Sequence, residues 1–116
     1  MDFILEKKLI HDKERVITSF CNKEHISIQD FFNTPNISIN EIKDNIDKIL
    51  SCESSRYEFG NERVYVEIAN NSVCFTDLFE GIVSDDELYP RITISIGEFK
   101  RLLLNWEEKK YKLCNG

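Results

Sequence analysis

Glycine and proline are scarce in this chain of 116 residues, with four Gly and two Pro. That leaves no Gly/Ser linker, no proline-rich spacer and no low-complexity tract. No apolar run approaches the ~20 residues that a membrane span needs. The N-terminus, MDFILEKKLIHDKER, carries charges at positions 2, 6, 7 and 8. It lacks the apolar stretch and cleavage site of a signal peptide, so a cytoplasmic location is expected. Positive charge is also short: 15 Lys and Arg face 21 Asp and Glu, a net charge of −6. Nucleic-acid binders need a clustered basic face to neutralise phosphates, and anionic membranes select the same feature. Neither nucleic acid nor membrane is therefore expected as a partner, and a basic protein is.

Motifs of catalysis are missing as well. G-x-S-x-G, HExxH and Gly-rich phosphate loops do not occur, and SDDEL lacks the order of a calcium loop. His11 and His25 stand in no catalytic frame and read as surface residues. Cys21, Cys52, Cys74 and Cys114 contain no C-x-x-C pair and no zinc spacing with either histidine. A disulfide framework would need an exported chain, so the cysteines read as reduced, small core residues. The expectation is a non-enzymatic protein with no cofactor and no metal.

What is present is ordinary globular composition, 41% apolar and 31% charged, enough for a single domain over residues 1–116. Across residues 2–21, Leu5, Leu9, Val16 and Phe20 follow helical spacing. This predicts one amphipathic helix, broken near His11–Asp12, with a strand for FILEKKLI as the alternative. Ser27-Ile28-Gln29-Asp30 looks like a capping signal for a helical turn through Phe31–Phe32, ended by Asn33-Thr34-Pro35-Asn36. Ser38 and Glu41 form a further capping box, opening a helix through about Ser51 with Ile42, Ile46, Ile49 and Leu50 on one face.

Alternation then takes over. RYEFG, RVYVEIA and SVCFT read as a meander, with turns at Gly60–Asn61 and Asn70–Asn71. Tyr57, Arg63 and Tyr65 are expected to share its exposed face with Glu58 and Glu67. After a loop, RITIS forms a last strand that feeds a helix through the capping box Ser95–Glu98. Phe99, Leu102, Leu103, Trp106 and Leu113 make that helix's apolar stripe. The predicted fold is α+β, an antiparallel sheet of about four strands with N-terminal helices and a C-terminal helix packed on one face.

Residues 24–99 hold fifteen acids and five bases, a local charge of −10. Within them Asp77, Glu80, Asp85, Asp86 and Glu87 occupy one loop that has no Lys or Arg. Unpaired carboxylates contribute little to stability, but they steer a basic partner. Phe79 and Tyr89 lie among them as candidate apolar anchors. The candidate partner-binding set is therefore Asp77, Phe79, Glu80, Asp85, Asp86, Glu87 and Tyr89. Its plain counterpart is a solubilising loop whose apolar residues dip into the core.

The pattern RVYVEIANNSVCF…RITISIGEFKRLLLNWEEKK, over roughly residues 38–113, resembles bacterial immunity proteins, in particular those of contact-dependent growth inhibition and related polymorphic toxin systems. The resemblance implies an inhibitor that binds one cognate toxin domain, typically a basic nuclease, and blocks its active site or substrate surface. It carries no particular functional residue across, because binding residues differ from pair to pair. Beside that reading stand a non-enzymatic adaptor or regulatory domain and, third, an enzyme whose site has no recognisable motif.

Overall fold

A computed structural model describes residues 1–35 and 37–115. In chain order the elements are β1 (Phe3–Ile10), β2 (Lys13–Phe20), α1 (Ile26–Phe32), α2 (Ile39–Leu50), β3 (Arg56–Gly60), β4 (Val64–Ala69), β5 (Ser72–Asp77), β6 (Ile92–Ser95) and α3 (Ile96–Asn115). Strands β3 to β6 make one antiparallel sheet in the order β3-β4-β5-β6, and β1 and β2 make a separate two-stranded sheet.

The four-stranded sheet follows its alternation. Val64, Val66, Ile68, Val73 and Phe75 are fully buried on one face, with Ile94 beside them. Asn70 and Asn71 close the β4–β5 hairpin with φ of 52° and 63°, the left-handed pair that a two-residue turn requires and that Asn tolerates cheaply. At Gly60 a Cβ would run into the Val64 carbonyl oxygen, so the tight exit from β3 admits only glycine. All three helices cover the buried face, with Phe31, Ile42, Ile46, Phe99 and Leu103 meeting the strands in one core. The serine half of the other two capping boxes forms as expected, and no return bond from Glu41 or Glu98 to the capping amide accompanies it among the described residues. Ser38 Oγ accepts from the Glu41 amide at 3.2 Å, and Ser95 Oγ accepts from the Glu98 amide at 3.0 Å.

Residues 2–21 correct the helical expectation and bear out its alternative, for FILEKKLI is strand β1 of a β1–β2 hairpin. Leu5 and Leu9, or Val16 and Phe20, are four apart, and a spacing of four is a multiple of the strand period as well as close to a helical turn. β-branched Ile4, Ile10, Val16, Ile17 and Thr18 tip the balance toward strand. His11 and Asp12, both left-handed at φ 51° and 63°, form the two-residue turn where the helix was expected to break. Phe3, Phe20, Phe32 and Trp106 then stack in series, with centroids 5.3, 6.2 and 5.2 Å apart, and join the hairpin to the main core. Trp106 donates from Nε1 to the buried Thr18 hydroxyl at 3.0 Å.

Helix α1 closes the free edge of β2 with side chains. Gln29 Oε1 accepts from the Phe20 amide at 2.8 Å. Asn33 Oδ1 accepts from the Thr18 amide at 2.8 Å, and Asn33 Nδ2 donates to the Thr18 carbonyl at 2.9 Å. Four residues of helix rise about 6 Å and two of strand about 6.7 Å, so positions i and i+4 on α1 meet alternate residues of β2. Ser27 is accordingly no cap. It lies one residue inside α1, fully buried, and its hydroxyl has no partner among the described residues. The terminating run holds in that Asn33 caps α1, while Asn36 lies outside the described residues.

Smaller corrections follow from exposure. Cys21, Cys52 and Cys114 are exposed and Cys74 is half-buried on the outer sheet face, so none is a core residue. Leu50 ends α2 half in solvent. Tyr57 turns to the core face with Phe59, leaving Arg56, Glu58, Tyr65 and Glu67 on the open face. No described helix is long and apolar enough to cross a membrane.

Candidate partner-binding site

Between β5 and β6 the chain leaves the sheet for residues 78–91, and Asp77 determines how. Alternation along β5 puts Val73, Phe75 and Asp77 on the same buried face. The carboxylate that ends the strand is thus nearly enclosed, with its side chain 3% exposed. Its oxygens hold both ends of the loop. Oδ1 accepts from the Phe79 amide and Oδ2 from the Tyr89 amide, each at 2.9 Å. Arg63 completes the set, its Nη2 lying 3.0 Å from Oδ2.

Arg63 in turn binds the loop. Nη2 donates to the Glu87 carbonyl at 2.7 Å, and the guanidinium lies 3.7 Å from the Tyr89 ring centre and 5.0 Å from that of Phe79. The Arg63 carbonyl accepts from the Leu78 amide at 2.7 Å. A cation held over two rings and paired with a buried carboxylate forms a charge-assisted clasp. Burial alone works to raise the Asp77 pKa, but Arg63 and the Tyr89 and Phe79 amides outweigh it and hold the carboxyl below its ordinary value. The hydrogen bond to Asp77 is the main reason that the Arg63 pKa is raised.

Inside the clasp the loop makes its own turns. Ile82 and Val83 amides donate to the Phe79 carbonyl at 2.9 and 3.1 Å, the Glu87 amide donates to the Ser84 carbonyl at 3.0 Å, and Gly81 takes a left-handed φ of 83°. A short segment whose ends meet and whose turns are internally bonded is an Ω-type loop, a common carrier of binding residues.

The expected site residues divide into three groups. Asp77 is withdrawn from solvent as the loop's structural anchor, which corrects its placement among the docking charges. Phe79 and Tyr89 are half-buried against Arg63, so much of each ring belongs to the clasp. Glu80, Asp85, Asp86 and Glu87 are all exposed, and no ion pair among the described residues includes any of them. Ile82, 77% exposed, and Leu78, 49% exposed, stand among these acids.

Arg63 was expected on the open sheet face and lies instead in this clasp. Its pairing with Asp77 was readable only by extending the β5 alternation one step and registering Asp77 opposite Val64. A second constellation, legible in no motif, adjoins the clasp on the α1 side. Asn61 Nδ2 donates to Asp30 Oδ1 at 2.6 Å and to Thr34 Oγ1 at 2.7 Å. Asn61 Oδ1 accepts from the Arg63 and Val64 amides at 2.8 and 2.7 Å. The Tyr89 hydroxyl donates to Asp30 Oδ2 at 3.2 Å. Burial first, and then the Asp30 carboxylate, push the Tyr89 phenol above its usual pKa against the effect of Arg63, so it remains a neutral donor at physiological pH. Among the described residues no group of three or more His, Cys, Asp or Glu side chains is arranged to hold a metal ion. No protein family matches the chain, and neither does any curated protein or solved structure.

Proposed function

We propose that this chain is a non-catalytic inhibitor of the immunity type, which neutralises a basic toxin domain, a nuclease above all, by binding it through the 78–88 loop. One observation carries the reading: four unpaired, exposed carboxylates and two exposed aliphatic side chains ride on a loop fastened at both ends by Asp77 and Arg63. Binding loops gain affinity when their order is settled before the partner arrives. Exposed like charges on such a loop raise association rates, and Ile82 with Leu78 supplies the apolar contact that charge alone lacks. A nuclease is basic where it holds phosphate, which makes that surface the natural complement.

The test is co-expression with the gene immediately upstream of this one, followed by binding kinetics at two salt concentrations. A stable complex is expected. The triple variant Asp85→Lys, Asp86→Lys, Glu87→Lys should fold normally, associate at least tenfold more slowly and show a flatter salt dependence, since exposed charges act over a Debye length of about 8 Å at physiological salt. Ile82→Ala should act mainly on dissociation. If the triple variant protects cells and associates like the wild type, the loop is not the interface. The open sheet face around Tyr65 and Glu67 then becomes the place to look.

A further inference from the structure

Beside the clasp lies an open pocket of about 740 Å³, walled by Ile26, Pro35, Asn61, Glu62, Arg63 and Tyr89 around Asp30. Its volume falls within the usual range for ligand sites, and a few polar groups converge in it between apolar walls. The polar floor is fixed. Asn61 uses both amide hydrogens and both oxygen lone pairs in the bonds described above, so it cannot turn. Asp30 is held by neutral donors only, one on each oxygen. An ionised carboxylate offers about four acceptor positions, which leaves two of them, one per oxygen, unfilled.

Arg63 does not fill them. Its Nε and Nη2 are committed to Asp77 and to the Glu87 carbonyl, and it makes no hydrogen bond to Asp30 among the described residues. With Asp30 and Glu62 both on the wall, the pocket carries net negative charge.

From this geometry we infer that the Asp30 pocket is an anchor site for an arginine side chain supplied by the partner protein. A guanidinium is planar and donates through parallel N–H groups, which matches one free acceptor on each oxygen of a single carboxylate. An ammonium is a point charge and gains nothing from that pairing. Ile26, Pro35 and the Tyr89 ring cover the aliphatic stem, and Glu62 adds a second carboxylate on the same wall. The origin of the arginine in a partner rests on the proposed function; the preference of the pocket for a guanidinium does not.

The two are separable with a probe that needs no partner. The full chain, labelled with ¹⁵N, is titrated with N-acetyl-arginine methylamide and, separately, with its citrulline counterpart, which keeps the shape and loses the charge. Arginine should shift the Asp30, Asn61 and Tyr89 amide resonances and the Asn61 side-chain amide, with a dissociation constant on the order of 1 mM for so small a ligand. Citrulline should bind at least tenfold more weakly. Asp30→Asn keeps an oxygen for Asn61 and should weaken the arginine probe at least tenfold.

Equal shifts from arginine and citrulline would overturn the assignment on the wild-type chain alone, whatever the variant does. So would inorganic phosphate shifting the same resonances, because the pocket would then be reading anions through Arg63. If arginine binds here while the upstream gene product forms no complex, the pocket stands and the partner reading falls. If the complex forms and Asp30→Asn leaves its affinity unchanged, the arginine anchor falls and the loop reading stands.

Discussion

Asp77 shows how one side chain can be decisive for a surface it does not belong to. Its carboxylate sits under the loop and gathers two amides and a guanidinium, and the exposed acids above it depend on that order. Because its folded pKa is depressed, it contributes stability at pH values above the unfolded carboxylate's value near 3.9. That contribution is lost as pH falls through the lower folded value. Urea denaturation followed from pH 7 to pH 2 should therefore show Asp77→Asn less stable than the wild type at pH 7, with the gap narrowing below about pH 4. A gap that stays constant with pH would mean that the variant fails by losing shape, not charge. The adjoining Arg63 could not be placed from its own stretch of sequence, because an arginine just before a strand fits an open sheet face as well as a buried clasp. Only the partner across the strand pair decides, and Asp77 lies 14 residues away.

At the scale of elements, the sheet and the last helix were legible because each carried its own local rule. RITIS alternates, and SIGE caps through Ser95. The four-stranded meander, its Asn70–Asn71 turn and the helical cover on one face all follow from such rules. The N-terminal hairpin was legible only as an alternative, the strand FILEKKLI, since four-residue spacings fit both periods and its order depends on α1, which comes later in the chain. Gln29 and Asn33 read as ordinary polar residues of a short helix, yet they replace a third strand at the edge of β2.

That substitution has a measurable consequence. Asn33→Ala leaves the Thr18 amide and carbonyl unpaired, and Thr18 is fully buried. Each buried orphan costs about 1–3 kcal/mol. Ser95→Ala removes a single exposed cap, worth about 0.5–2 kcal/mol. Urea midpoints should rank Asn33→Ala as the more damaging of the two. The reverse order would mean that water reaches the β2 edge and replaces Asn33.

On the scale of the whole molecule, the hairpin and the sheet share a core without sharing a ladder. The near half of the hairpin enters that core through Phe3, Thr18 and Phe20, and Lys109 reaches back from α3 to the Phe3 carbonyl at 3.1 Å. Its far half does not: Lys8, Leu9, Lys13 and Arg15 are exposed, and none of them belongs to the core cluster. A two-stranded hairpin in water is marginal by itself, so the far half is held by the near half. Thr18 and Phe20 direct their amides outward to α1, which makes Ser19, Ile17, Arg15 and Lys13 the β2 residues bonded to β1. Native-state hydrogen exchange should then form a gradient along one strand. The Ser19, Thr18 and Phe20 amides should exchange only through global unfolding, and the Arg15 and Lys13 amides at least a hundredfold faster through fraying of the tip, a difference of about 2.8 kcal/mol in opening free energy. Trp106→Ala, which removes the indole stacked on Phe32 and bonded to Thr18, should cost about 3–5 kcal/mol and bring the near amides down toward the far ones. Uniform protection along β2 would show that the far half has support of its own, and the hairpin would then be a rigid arm rather than a fraying one.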